Sequence, residues 1–276
     1  MAVRRCSRAA LCLAVLALAS LAGCSRLTFI KPSAARGDSE RVAPVYDFSA
    51  GERKRGSASV RIHLLRGEQA LQQGRFAEAE SEARAGLRQD ARNPLVHTLL
   101  AIALERQDQA AEAGRHYARA AELAPASGAA LNNYGAWLCL NGRPAESLAW
   151  FDRALADQGY ASPASALANA GACAAKAGHT GRVERDLRAA LELAPANPVA
   201  LEALARHLYD RGEFFEARAF SQRRLDAAPA TPDVLQLASQ IEEKLGDKAA
   251  AARYVQRLRT EFPHAQAVLP GDSSSR

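Results

Sequence analysis

The 276-residue chain is poor in aromatic side chains, with eight Phe, six Tyr and two Trp, and its single Met is Met1. Its 48% hydrophobic content still supports a sizeable core and excludes disorder throughout. That core must be built mainly from Ala and Leu, which suit closely packed helices better than strands, so an all-α fold is expected. The sequence contains no His-Glu-x-x-His, no Cys-x-x-Cys, no glycine-rich phosphate loop and no Gly-x-Ser-x-Gly elbow. Its acidic pairs, such as Glu242-Glu243, are adjacent and so point to different sides of a helix. No catalytic residue, cofactor or metal is expected.

The formal charge of +6 suggests a nucleic-acid partner until the N-terminus is considered. Residues 1–23 combine Arg4, Arg5 and Arg8 with an apolar stretch from Ala9 to Ala19, too short to span a bilayer, as in a secretory leader. Removing three arginines from 36 basic residues leaves 33 against 30 acids, a balance of only +3. The remaining Arg residues are interspersed with Glu along helices, the pattern of a solvated face, so nucleic acid is a poor candidate partner.

The leader ends in Leu21-Ala22-Gly23-Cys24. Small residues directly before Cys resemble the bacterial lipobox, which implies that Cys24 becomes the acylated first residue of an exported lipoprotein. Several acyl chains at about 0.8 kcal/mol per buried methylene would make such an anchor effectively permanent. Ser25 in place of Asp implies, by the same resemblance, sorting to the periplasmic face of the outer membrane. Residues 24–59 are rich in Ser, Gly, Pro and charge and are expected to form a flexible tether, with a random-coil span of roughly 30–35 Å.

Past Cys24 only Cys139 and Cys173 remain, in an oxidising compartment if the leader operates. A disulfide between them is conceivable. They fall on equivalent helices of adjacent repeats, however, and such helices lie about 8–10 Å apart, whereas a disulfide needs Cα atoms within about 7 Å. Buried free thiols are therefore expected.

From residue 60 the sequence repeats with a period of 34. Gly74, Gly142, Gly178, Gly212 and Gly246 share one position, with Asp108 in the sixth. Pro125, Pro195, Pro229 and Pro263 each follow that position by seventeen residues, a coincidence on the order of 10⁻⁴ at average Pro usage. The frame gives repeats at 60–93, 94–127, 128–163, 164–197, 198–231 and 232–265, the third two residues longer, with a disordered tail over 266–276. Fifteen of the eighteen residues at positions 8, 20 and 27 are small, among them Gly67, Ala79, Gly86, Gly135, Gly171 and Ala190. Val183, Arg224 and Leu258 depart, so less regular packing is expected there. This pattern resembles the tetratricopeptide family, whose unit is two antiparallel helices crossing at small residues. The resemblance implies an all-α, right-handed superhelix (solenoid) of six helix-turn-helix repeats.

In such a solenoid the inner wall is lined by positions 2, 5, 9, 12 and 13 of each first helix. A partner-binding groove is therefore expected at Leu64, Glu68, Leu71, Leu95, Thr98, Ile102, Asn132, Ala136 and Leu140, suited to an amphipathic helix or extended peptide. On this reading Leu64→Glu with Ile102→Glu weakens binding and leaves the helical signal intact. The alternative is that these apolar residues contact a neighbouring helix or the tether. Farther along, Ala168, Ala172 and Lys176, then Arg206 and Asp210, make a smaller or more charged wall. His63 and His97 share position 4 and are expected to serve core packing rather than a metal.

The segment Leu131-Asn132-Asn133-Tyr134-Gly135, the expansion before Tyr160-Ala161-Ser162-Pro163, and Leu258-Arg259-Thr260-Glu261-Phe262-Pro263 resemble stretches of the type IV pilus assembly lipoproteins called PilF or PilW. The resemblance implies a pilotin, monomeric by itself, that binds the secretin subunit and promotes its outer-membrane localisation and multimerisation. Composition and periodicity alone give only a lipid-anchored protein-binding scaffold. A general periplasmic adaptor for outer-membrane protein insertion or cell-wall enzymes is the competing expectation.

Overall fold

The computed structural model describes residues 57–263. The leader of residues 1–23, Cys24, the tether as far as residue 56, and the tail of residues 266–276 lie outside them.

Twelve helices follow one another, with no strand among the described residues. They form six hairpins: α1 (Ala58–Gln72) with α2 (Phe76–Gln89), α3 (Pro94–Glu105) with α4 (Ala110–Leu123), and α5 (Gly128–Leu140) with α6 (Pro144–Leu155). Next come α7 (Pro163–Lys176) with α8 (Thr180–Leu193), α9 (Pro198–Asp210) with α10 (Phe214–Ala227), and α11 (Pro232–Lys244) with α12 (Lys248–Glu261).

Local chemistry sets the ends of these helices. Ser57, Asn93, Ser127, Asn197 and Thr231 cap first helices by accepting backbone N–H bonds through their side chains. Pro94, Pro163, Pro198 and Pro232 stand in the first turn, where a missing N–H costs nothing. The turn inside each hairpin needs a left-handed residue. Gly142 provides it at φ 80°, and Asp108 takes the same role at φ 60°, as a short polar residue can.

Each of the four inner first helices packs against its own hairpin partner, the preceding second helix, and the first helices on either side. Successive second helices lie less closely together and are joined by long side chains. The first helices are thus the closely spaced layer, which forms the inner wall of a curved stack.

Small residues at the crossings hold the layers together. A Cβ built on Gly171 would sit 2.6 Å from Leu187 Cγ and 3.1 Å from its backbone nitrogen, and one on Gly67 would sit 2.4 Å from Leu99 Cδ2. Ala79, Ala101, Ala113, Ala154, Ala190, Ala205 and Ala217 are all fully buried. At the last crossing the Ser239 hydroxyl donates to the Ala251 carbonyl at 3.3 Å. Because Leu187 is itself fully buried and its backbone is part of the clash, it cannot yield easily. Gly171→Val is expected to cost about 2–3 kcal/mol, read as a lower thermal midpoint; an unchanged midpoint would contradict the tight crossing.

The three departures from the small-residue pattern do not open the packing as expected. Val183, Arg224 and Leu258 are all buried. Arg224 is accommodated because its guanidinium reaches the end of α10, donating to the Ala228 and Pro229 carbonyls at 3.2 Å each, and through Nε to Glu202 at 3.2 Å. Carbonyls that the helix end leaves unmatched thereby gain a donor.

Ion pairs cross the junctions between successive second helices. Arg84 donates to Glu112 at 3.0 Å and Arg188 to Glu216 at 2.7 Å, each from position 25 of one repeat to position 19 of the next. At the third junction the signs are reversed, with Asp152 at position 25 accepting from Arg182 at position 19 at 3.0 Å.

Candidate functional site

Most of the expected groove residues are interior. Leu64 is 2% exposed and belongs to a core cluster with Val60, Leu95, Leu99, Ile102 and Tyr117. Leu95 and Ile102 are buried too, and the Thr98 hydroxyl is spent on the Pro94 carbonyl at 3.0 Å. Asn132 and Ala136 are buried on α5. Glu68, Leu71 and Leu140 alone of the nine are partly accessible. Position 5 of a first helix therefore faces the packed interior of repeats one to three, and the contact with neighbouring helices weighed above accounts for these residues. The expectation that Leu64→Glu with Ile102→Glu spares the fold is corrected accordingly.

The apolar side chains that do meet solvent in repeat one are Ile62 and Leu65, 47% and 59% exposed. They occupy positions 3 and 6 of the repeat, on α1. In repeat two the same positions hold Val96 and Leu99, both fully buried against the preceding hairpin. Among the described residues no hairpin precedes α1 to cover them. Arg66, between them and the next turn, is exposed.

The inner wall carries two links between repeats three and four. Asn169 Nδ2 donates to Asn132 Oδ1 at 3.0 Å, both residues being buried. One face farther along, Cys139 and Cys173 form a disulfide with Cα atoms 5.9 Å apart. This corrects the expectation of free thiols. The 8–10 Å separation applies to helix axes, and Cα atoms on facing sides are each about 2.3 Å closer.

The wall changes character beyond this point. Ala168 is buried, Ala172 half-buried, and Ala175, Lys176, Arg206 and Asp210 are exposed. Burial pushes the Glu202 carboxyl up from its ordinary range, and Arg224 partly opposes that. Aromatic residues cluster instead where α5 meets its neighbours. Trp137 lies across Gly114 and donates through Nε1 to the Ala110 carbonyl at 3.1 Å, while Tyr134 stands edge-on to Trp150 at 4.7 Å. The two extra residues of repeat three place buried Tyr160 against Gly128, where any Cβ would strike the ring.

The histidines also differ from expectation in part. His97 is buried, but His63 is half-buried and its Nδ1 lies 2.6 Å from Glu82. Among the described residues no group of three or more His, Cys, Asp or Glu is placed to hold a metal ion, and no helix is long and apolar enough to cross a membrane.

Stacked hairpins with small crossings are shared with solved structures. A tetratricopeptide repeat protein from Parabacteroides merdae superposes with a TM-score of 0.55 at 19% identity, over 74% of this chain and 80% of its own. The fold is the tetratricopeptide-repeat solenoid. Within tetratricopeptide proteins the similarity extends to PilW, a widely conserved type IV pilus biogenesis factor, at 29% identity and a TM-score of 0.68, covering 76% of this chain and 96% of PilW. PilF of Pseudomonas aeruginosa matches at 21% identity and a TM-score of 0.64, over 79% of this chain and 99% of PilF. No family model and no curated relative matches the chain. A small recess between α10, α11 and α12 is lined by Arg218, Glu242 and Tyr254, with Arg218 paired to Glu242.

Proposed function

We propose that this chain is a pilotin-type lipoprotein of type IV pilus assembly. Anchored at the periplasmic face of the outer membrane through acylated Cys24, it binds the secretin subunit and promotes its localisation and multimerisation there. The observation that carries the reading is the match to PilW over 96% of that protein's length at 29% identity. The lipobox preceding the solenoid and a disulfide that needs an oxidising compartment support it from separate directions.

The contact surface is proposed at the exposed apolar face of α1. Ile62 and Leu65 give an apolar pair at helical spacing, suited to an amphipathic helix or strand segment of the secretin. The buried members of the expected groove shape this surface from beneath.

Two variants test separate parts of the reading. Cys24→Ala is expected to give a chain released from membranes, with secretin multimers reduced at least tenfold in the outer-membrane fraction. Ile62→Glu with Leu65→Glu is expected to keep the membrane anchor and the thermal midpoint, since both positions are exposed, while co-purification of secretin falls at least tenfold. Normal secretin multimers in a strain lacking the protein would refute the pilotin reading and favour a general periplasmic adaptor. Undiminished co-purification by the double variant would remove this face of α1 as the contact.

A further inference from the structure

His97 on α3 and His116 on α4 hold each other inside repeat two in a way that core packing alone does not require. Their Nδ1 atoms are 2.9 Å apart and their rings stack at 5.2 Å between centroids. His97 is 8% exposed, and the His116 side chain is 20% exposed.

The neighbours fix where the protons sit. The Ala91 carbonyl, 3.1 Å from His97 Nε2, can only accept, so His97 carries its proton on Nε2 and presents a bare Nδ1. His116 must then donate from Nδ1, which leaves its own Nε2 unprotonated. That nitrogen lies 3.9 Å from Glu112, whose carboxylate is bonded to Arg84 of α2. Facing the pair are Asp90 from the turn before α3, Arg84 from α2, and Glu112, Arg115 and Arg119 from α4. Burial is the first cause lowering both imidazoles below their ordinary value. For His116, the neighbouring His97 adds to it, taking this residue to about 4, while Glu112 opposes.

A first proton has a place to go. It enters on His116 Nε2, toward Glu112, and leaves the bond between the rings intact. A second has none, because protonating His97 Nδ1 removes the only acceptor and sets two N–H groups against each other at 2.9 Å. We propose that His97 and His116 form a latch between α3 and α4 that tolerates one proton and is parted by the second, so that acid opens repeat two before the rest of the solenoid. The helices it joins carry Leu95, Thr98 and Ile102, so the wall of repeats one and two loses its support when the latch parts. This inference stands apart from the pilotin reading and survives if that reading fails.

The sign follows from the lowered values. Neutral rings favour the folded hairpin, so the stabilisation is complete above the ordinary histidine value near 6.5 and is lost as pH falls through the folded one. Nitrogen-15 spectra of the imidazoles in the full-length protein read the latch directly. At pH 7 they are expected to show protons on His97 Nε2 and His116 Nδ1, with His116 Nε2 titrating near pH 4. Amide exchange, corrected for intrinsic rates, is expected to accelerate about tenfold or more in residues 94–123 between pH 6 and pH 3.5, and less than about threefold in residues 198–244. His116→Gln keeps a donor to neutral His97 and can turn its amide oxygen to accept from a protonated one, so the selective acceleration is expected to vanish. Independent titration of both rings near 6.5 would overturn the proposal. So would equal loss of protection in all repeats, or an acid response unchanged in His116→Gln. The spectra of the unaltered protein decide the matter if that variant does not fold.

Discussion

Leu64→Glu with Ile102→Glu is expected to melt the first two repeats, leaving no folded chain in which to measure binding. Leu64 is 2% exposed and Ile102 8%, within one cluster that includes Val60, Leu95, Leu99 and Tyr117. Removing a buried leucine or isoleucine costs about 2–5 kcal/mol before any charge is considered. An unpaired carboxylate in the same place adds several kcal/mol more, or binds a proton at a similar cost. Against a total stability of about 5–15 kcal/mol, two such changes exhaust what a pair of repeats can supply. Nearest-neighbour stacking confines the initial damage, so circular dichroism should lose roughly a third of its helical signal at 25 °C, with the remainder unfolding at a lower temperature. A double variant that keeps its full signal and melts within about 3 °C of the parent would show that these side chains are not core.

Breaking the disulfide is the second large perturbation. Cys139→Ser with Cys173→Ser opens a loop of 34 residues joining repeats three and four. Chain-entropy arguments put the loss at about 3–4 kcal/mol, less whatever strain the bridge imposes. The Asn169 to Asn132 bond crosses the same junction and remains, so the solenoid is expected to stay assembled at room temperature. The expected result is a midpoint lower by roughly 8 °C or more under oxidising conditions, and no difference from the parent in reductant. Equal midpoints with and without reductant in the unaltered protein would mean that the bridge contributes nothing.

The helical architecture was legible because its determinants are local and repeated. Gly74, Gly142 and Gly178 mark left-handed turns, Pro94 and Pro198 open helices, and small residues mark crossings. The candidate surface was less legible, because a position in the repeat frame does not say how deep it lies. Leu64 and Ile62 are two residues apart on one helix; one is interior and the other open because repeat one has no hairpin before it among the described residues. The cysteines were misjudged for a geometric reason, an axis separation standing in for the distance between facing Cα atoms. Nor does periodicity disclose the His97 and His116 contact, since only His97 was marked by its position and its partner lies nineteen residues away.

A chain made of six similar hairpins faces a hazard that a single-core protein avoids: any second helix can dock beside the wrong first helix during synthesis. The reversed pair at the third junction works against such errors. Were repeat four to follow repeat one directly, Arg84 would meet Arg182; were repeat two or five to follow repeat three, Asp152 would meet Glu112 or Glu216. Like charges at these sites penalise the shuffled orders, so a few surface residues of little worth to the finished fold help to dictate the sequence in which its parts assemble.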